Sequence, residues 1–104
     1  MSSWHVAVTT TAERDLTEAV LYIRDALGNS QAANRLLDEL EGCAAGLSEQ
    51  PTRRPLVRDE RLSRMGYRWA PVGGHMAFFT MDEKGRTVYI ERLLFGRSDW
   101  RAVL

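Results

Sequence analysis

A single cysteine excludes an internal disulfide, and Cys43 sits in an Ala-rich stretch where it reads as a small packing residue. With His5 and His75 as the only histidines, no metal-ligand spacing exists, and no metal or other cofactor is expected. Long apolar runs are missing too. Segments such as Met76 to Phe79 fall far short of the about 18–20 residues that span a bilayer. The opening Met-Ser-Ser-Trp-His lacks the basic and apolar regions of a secretory leader, which points to a cytoplasmic protein with no membrane partner. Gly73-Gly74 is followed by neither the residues nor the helix start of a phosphate loop. No nucleophile–base constellation stands out among so few candidates.

Net charge is absent as well, so no global field draws the chain to nucleic acid. Its distribution is uneven. Residues 13–49 hold eight acids against three arginines, whereas residues 53–68 hold six arginines against Asp59 and Glu60. Residues 84–104 are also basic, with Lys84, Arg86, Arg92, Arg97 and Arg101 against Glu91 and Asp99. The N-terminal half is acidic and the C-terminal half arginine-rich. Thirteen of the 14 basic residues are arginine, whose planar fork suits phosphate and carboxylate; a GC-rich genome would give the same bias.

At 104 residues there is room for one core, so a single domain over residues 1–104 is expected. Trp4, Val6 and Val8 alternate with polar or small residues and predict a first strand. The Thr10–Glu13 spacing of a capping box predicts a helix from about Thr11. Its apolar stripe is Ala12, Leu16, Ala19, Val20, Ile23 and Leu27, and Gly28 supplies the stop. Asn29 and Ser30 can cap a second helix with the stripe Ala33, Leu36, Leu37, Leu40, Ala44 and Leu47, closed by Pro51. So short a connection predicts an antiparallel helical hairpin. Residues 51–65 read as irregular. Strands are expected from Tyr67 to Ala70, His75 to Met81 and Thr87 to Phe95, with Asp82–Gly85 as a hairpin loop and the last strand central. A short helical turn or tail follows Trp100. The result is an α+β fold: an antiparallel sheet in the order β-α-α-β-β-β, with the helical hairpin on one face.

These signals, in this order and spacing, resemble the RelE/ParE toxins over nearly the whole chain. The matching pieces are Val8-Thr9-Thr10-Thr11-Ala12-Glu13-Arg14-Asp15-Leu16, Ala32-Ala33, Leu47 with Pro51, Gly66-Tyr67-Arg68, and Phe78-Phe79 with Met81-Asp82-Glu83. The run from Val88 to Trp100, which contains Glu91-Arg92-Leu93-Leu94-Phe95-Gly96-Arg97, is the most telling. The resemblance implies a RelE-like fold and a toxin of a type II toxin–antitoxin (plasmid stabilisation) module, neutralised by a cognate antitoxin. It implies one of two targets: mRNA in the ribosome, cut by RelE-like members, or DNA gyrase, poisoned by ParE-like members that are not nucleases. A non-toxic module that only binds an antitoxin-like partner is the alternative.

RNA cleavage by its own 2′-hydroxyl needs a base, an acid and cations around the phosphate. By resemblance, Arg68 stands where RelE-like enzymes carry a basic residue, and Arg97 where they carry the phosphate-stabilising arginine. His75 replaces a frequent arginine, and it is the one group in this region that titrates near neutrality. Ala70 stands where a lysine is expected, and the late catalytic tyrosine has no counterpart; these departures tilt the reading towards a ParE-like action. Arg68 also reads as a solvated strand residue or a partner for Glu91, and His75 as a strand-end cap. Arg92 reads either as a contact residue or as a structural arginine pairing an acid beneath the sheet. Arg61 and Arg64, with Arg53, Arg54 and Arg58, form a basic loop suited to RNA or an acidic antitoxin, or simply solvated. Tyr67 and Trp100 are large enough to stack on bases or to fill a core or an antitoxin pocket. The open sheet edge and exposed aromatics allow self-association as well as antitoxin docking.

Overall fold

The computed structural model describes residues 3–104; Met1 and Ser2, the start of the segment read as lacking a leader, lie outside the described residues. Strand β1 (His5–Val8) leads into helix α1 (Thr10–Leu21), which continues as a wider π-helical turn over Tyr22–Ala26. Helix α2 (Ser30–Glu49), a 3-10 turn (Pro51–Arg53) and the short helix α3 (Glu60–Arg64) follow. Strands β2 (Arg68–Val72), β3 (His75–Asp82) and β4 (Thr87–Phe95) precede a final turn, α4 (Trp100–Val103). The sheet order is β1-β4-β3-β2.

The α+β class and the β-α-α-β-β-β order are as expected, with one refinement at an edge. β2, β3 and β4 form the antiparallel meander, but β1 joins β4 in parallel, Val6 opposite Val88 and Val8 opposite Ile90. The hairpin between β1 and the meander is itself the crossover that a parallel pairing requires. β4 is interior, as its apolar character predicted.

Helix starts follow side-chain caps. The first is Thr9 rather than Thr10: its hydroxyl accepts from Ala12 N at 3.1 Å, so Glu13 falls one place beyond the capping-box position. Asn29 caps α2 by accepting from Ala32 N at 3.0 Å. Gly28 takes φ +62°, the left-handed stop the sequence predicted. In the π turn Leu27 N bonds to Tyr22 O, five residues back. Leu27, read as part of the core stripe, is consequently 59% exposed.

Both faces of the sheet are covered. Under the hairpin lie Ala12, Leu36, Leu40, Leu47, Phe79 and Ile90, together with the small or β-branched strand residues around them. Cys43 packs at the margin of this core, as read from the sequence, and its burial raises the thiol pKa. The opposite face is filled by Val57, Leu62 and Phe78, with Tyr67, Trp69 and Trp100 against them. The segment read as irregular therefore contains a helix: Asp59 caps α3 through Leu62 N at 3.0 Å, and Leu62 is fully buried. No helix among the described residues is long and apolar enough to cross a membrane.

Candidate functional site

Strand β4 changes parity midway. Phe78 faces Arg92 while Phe79 faces Ile90, so Glu91 is an extra residue on β4, a β-bulge. Val88 and Ile90 point to the hairpin before the bulge, and Leu93 does so after it. β1 ends beside Ile90, which leaves the next β4 backbone groups without a strand partner. The start of α1 satisfies them: Thr9 N donates to Ile90 O, Thr9 Oγ1 to Glu91 O at 3.0 Å, and Asp15 Oδ2 accepts from Leu93 N at 3.0 Å.

Asp15 also receives the Arg92 fork, Nε to Oδ2 at 2.7 Å and Nη2 to Oδ1 at 3.0 Å. This charge-assisted bond raises the Arg92 pKa. The structural reading of Arg92 is the one its geometry supports. Glu91 is engaged separately, accepting from Thr80 Oγ1 at 2.8 Å, so it is not the partner of Arg68.

The three residues carried over for RNA cleavage do not meet. Arg68 is opposite Phe79 and reaches the Arg54 carbonyl at 2.6 Å, whereas His75 is opposite Val72 at the far end of the same hairpin. Four residue steps of strand separate the two, about 13 Å. Arg97 belongs with His75: His75 is opposite Phe95, and Gly96 N donates to Gly74 O at 2.9 Å. Arg97 is exposed and makes no ion pair among the described residues. Burial lowers the His75 pKa, and its ring meets Phe95 edge-on at 5.5 Å.

Tyr67 and Trp100 pack against the second face, and Trp100 lies 5.3 Å from Phe78 between ring centroids. Burial, with the Glu91 carboxylate adding to it, raises the Tyr67 pKa. Arg64 pairs with Glu60, and Arg61 donates to the Leu104 carbonyl at 3.4 Å.

The sequence reading missed a large concavity. A groove of about 770 Å³ opens between the end of α1, the start of α2 and the β2–β3 turn, next to the end of β4. Its walls include Tyr22, Leu27, Leu36 and Phe95, with Arg35, Glu39 and His75 as charged or polar groups. Tyr22 is 60% exposed and Phe95 51%, unusual for aromatics that line one groove. Gly73, at φ +59°, forms part of the wall, and a Cβ there would sit 2.6 Å from Glu39 Oε2. A large apolar residue at the strand end beside Gly96 was the available signal for Phe95. Tyr22 gave none, because only the π turn brings it to the groove.

Among solved structures, a chain of the RelBE2 toxin–antitoxin complex from Mycobacterium tuberculosis is similar at a TM-score of 0.62 and 27% identity. The alignment covers 91% of this chain and 93% of that one. No curated relative matches the sequence. Residues 6–100 match the family described as the ParE toxin of the type II toxin–antitoxin system parDE. That span takes in most of β1, both long helices, the meander and Arg97, and the chain belongs to the ParE toxin family.

Proposed function

We propose that this chain is a growth-arresting toxin that acts on DNA gyrase rather than by cutting mRNA, and that a cognate antitoxin silences it by occupying the apolar groove. The observation that carries the target is the separation of Arg68 from His75. General acid–base cleavage needs base and phosphate-holding cations within hydrogen-bond reach of one scissile group, and about 13 Å of strand lies between these two. Ala70, fully buried, supplies no cation to fill the gap.

The groove supports the partner. Exposed Tyr22, Leu27 and Phe95 offer aromatic and aliphatic anchors of the kind that dominate interface energies, with Arg35 and Glu39 available at the rim to set register. The similarity to a chain of a toxin–antitoxin complex is consistent with such a partner.

One observation favours a second reading. His75 and Arg97 share one end of the sheet, so a base and a phosphate-binding cation are near each other even though Arg68 is not. Ribosome-dependent mRNA cleavage would use that pair.

The deciding experiment expresses the chain alone in a bacterial host and pulse-labels DNA and protein synthesis. Early loss of DNA synthesis is expected, with His75→Ala and Arg97→Ala leaving the arrest intact. Early loss of translation, relieved by Arg97→Ala, would transfer the assignment to mRNA. Failure of both to change would leave a non-toxic module that only binds an antitoxin-like partner.

A further inference from the structure

Most arginines outside the groove lie in two stretches of chain, residues 53–68 and 97–104. Residues 54–57 run antiparallel along the outer edge of β2, with Trp69 N donating to Pro55 O at 3.2 Å and Val57 N to Tyr67 O at 2.9 Å. α3 follows at once, and the C-terminal segment that carries α4 lies against it, with Arg101 Nε 3.9 Å from Asp59. Residues 53–68 and 97–104 together hold eight arginines against Asp59, Glu60 and Asp99. Two of those acids are already engaged: Asp59 caps α3 and faces Arg101, and Glu60 pairs with Arg64. Arg53, Arg54 and Arg58 are exposed and make no ion pair among the described residues.

Arg53 and Arg54 also flank a cleft of about 220 Å³ whose other wall is α2 at Gly42, Cys43, Gly46 and Gln50. The two glycines leave the opening clear of side chains, and no carboxylate lines it. Two guanidinium forks at an acid-free cleft match the geometry and charge of a phosphate. Burial holds the Cys43 thiol above its usual pKa despite Arg54, so no thiolate competes for the cations.

The rest of the band selects the form of that phosphate. Single-stranded nucleic acid is gripped by stacking bases on open aromatic faces. Here Tyr67, Trp69 and Trp100 are packed against the sheet around Phe78. What remains exposed is charge spread along an edge, suited to a backbone and indifferent to base identity.

We infer that this arginine band binds the backbone of duplex nucleic acid, with one phosphate seated in the cleft between α2 and Arg53–Arg54. The inference does not depend on the target proposed above, because its test uses the purified full chain and no growth assay. Anisotropy of a labelled DNA duplex of about 24 base pairs is measured between about 50 and 200 mM salt, and three or four phosphate contacts give a log–log slope of about −3. Arg53→Gln with Arg54→Gln raises Kd at least about tenfold at the lower salt and cuts the slope by about two. Arg58→Gln, outside the cleft, cuts it by about one and guards against a misfolded double variant. Disulfide exchange at Cys43, the only thiol, slows when duplex is bound. No anisotropy change at the lower salt, or a slope unaltered in both variants, overturns the proposal. So does protection of Cys43 by inorganic phosphate without duplex binding, which would mark a free-anion site. Displacement of duplex by polyglutamate at equal charge would reassign the band to an acidic protein.

Discussion

The two faces of the sheet are built to different plans. Under the hairpin, apolar residues from two long helices and all four strands close a core that includes Phe79, Ile90 and Leu47. On the opposite face, among the described residues, the buried cluster is Val57, Leu62 and Phe78, roofed by a five-residue helix and a four-residue turn. Charge divides in the same way: the hairpin is acidic, while the second roof and its flanks are rich in arginine. The face with the larger core carries the apolar groove, while arginines flank the smaller core and reach α2 through Arg53 and Arg54. Stability is concentrated in one layer, which leaves the surface of the other free to be selected for charge.

The first way to break this contrast is at the centre of the larger core. Phe79→Ala should cost about 4 kcal/mol, read as a loss of denaturant midpoint at unchanged slope, because its neighbours on two helices cannot collapse into the void. Leu62→Ala should cost nearer 2–3 kcal/mol, since a short roof can settle onto a smaller side chain. Equal losses would mean that the two faces are equally rigid. Hydrogen exchange should rank them the same way, with amides of α3 opening before those of β3.

Next is the junction that ties the hairpin to the sheet. Asp15 is 12% and Arg92 24% exposed at the side chain, so Asp15→Ala strands a largely buried guanidinium and the Leu93 N–H together. About 3 kcal/mol is expected, from the same denaturation measurement. Asp15→Leu with Arg92→Leu should restore part of it, because removing both charges abolishes the desolvation cost.

Much of this arrangement was legible in the sequence, and the exceptions have physical causes. Period and punctuation located the helical hairpin, since its stripes and the caps Asn29 and Gly28 are local features. The β4 strand was legible to the residue because Thr87–Phe95 is bounded by turns. The parallel pairing of β1 was not, because strand direction depends on where the hairpin returns the chain. Glu91 hid the bulge: apolar residues of both parities signal an interior strand, but here they also record a shift of register. α3 escaped notice because five residues with one buried leucine leave no period. The Arg92–Asp15 pair depended on the register after the bulge, and the groove on a π turn that no local signal announces. Arg68, His75 and Arg97 could each be assigned to a strand or strand end from the sequence, yet their distances apart belong to the register.

A smaller effect concerns the groove. Burial lowers the His75 pKa, so the folded chain binds its proton less tightly than the unfolded chain does. A group with a depressed histidine pKa contributes its full stability above about 6.5 and loses it as the pH falls below that value. Thermal midpoints should therefore decline from about pH 6.5 downward, ahead of carboxylate titration, and His75→Gln should flatten that part of the profile. A decline of the same size in the variant would trace the acid sensitivity to other groups.

The smallest effect tests the arginine-rich face itself. Glu60 and Arg64 form an i,i+4 pair whose side chains are 79% and 76% exposed, so water screens them and two long side chains must be ordered to hold it. Glu60→Gln should therefore change stability by less than about 0.5 kcal/mol. The same change removes one acid from beside Arg61 and Arg64 and should tighten duplex binding by a few-fold, most visibly at low salt. The two readouts separate because an exposed pair contributes little to folding, while its net charge still acts over a Debye length on a polyanion. A loss of stability beyond about 1 kcal/mol would mean that α3 relies on this pair, and the face would then be structural in its charges as well as in its core.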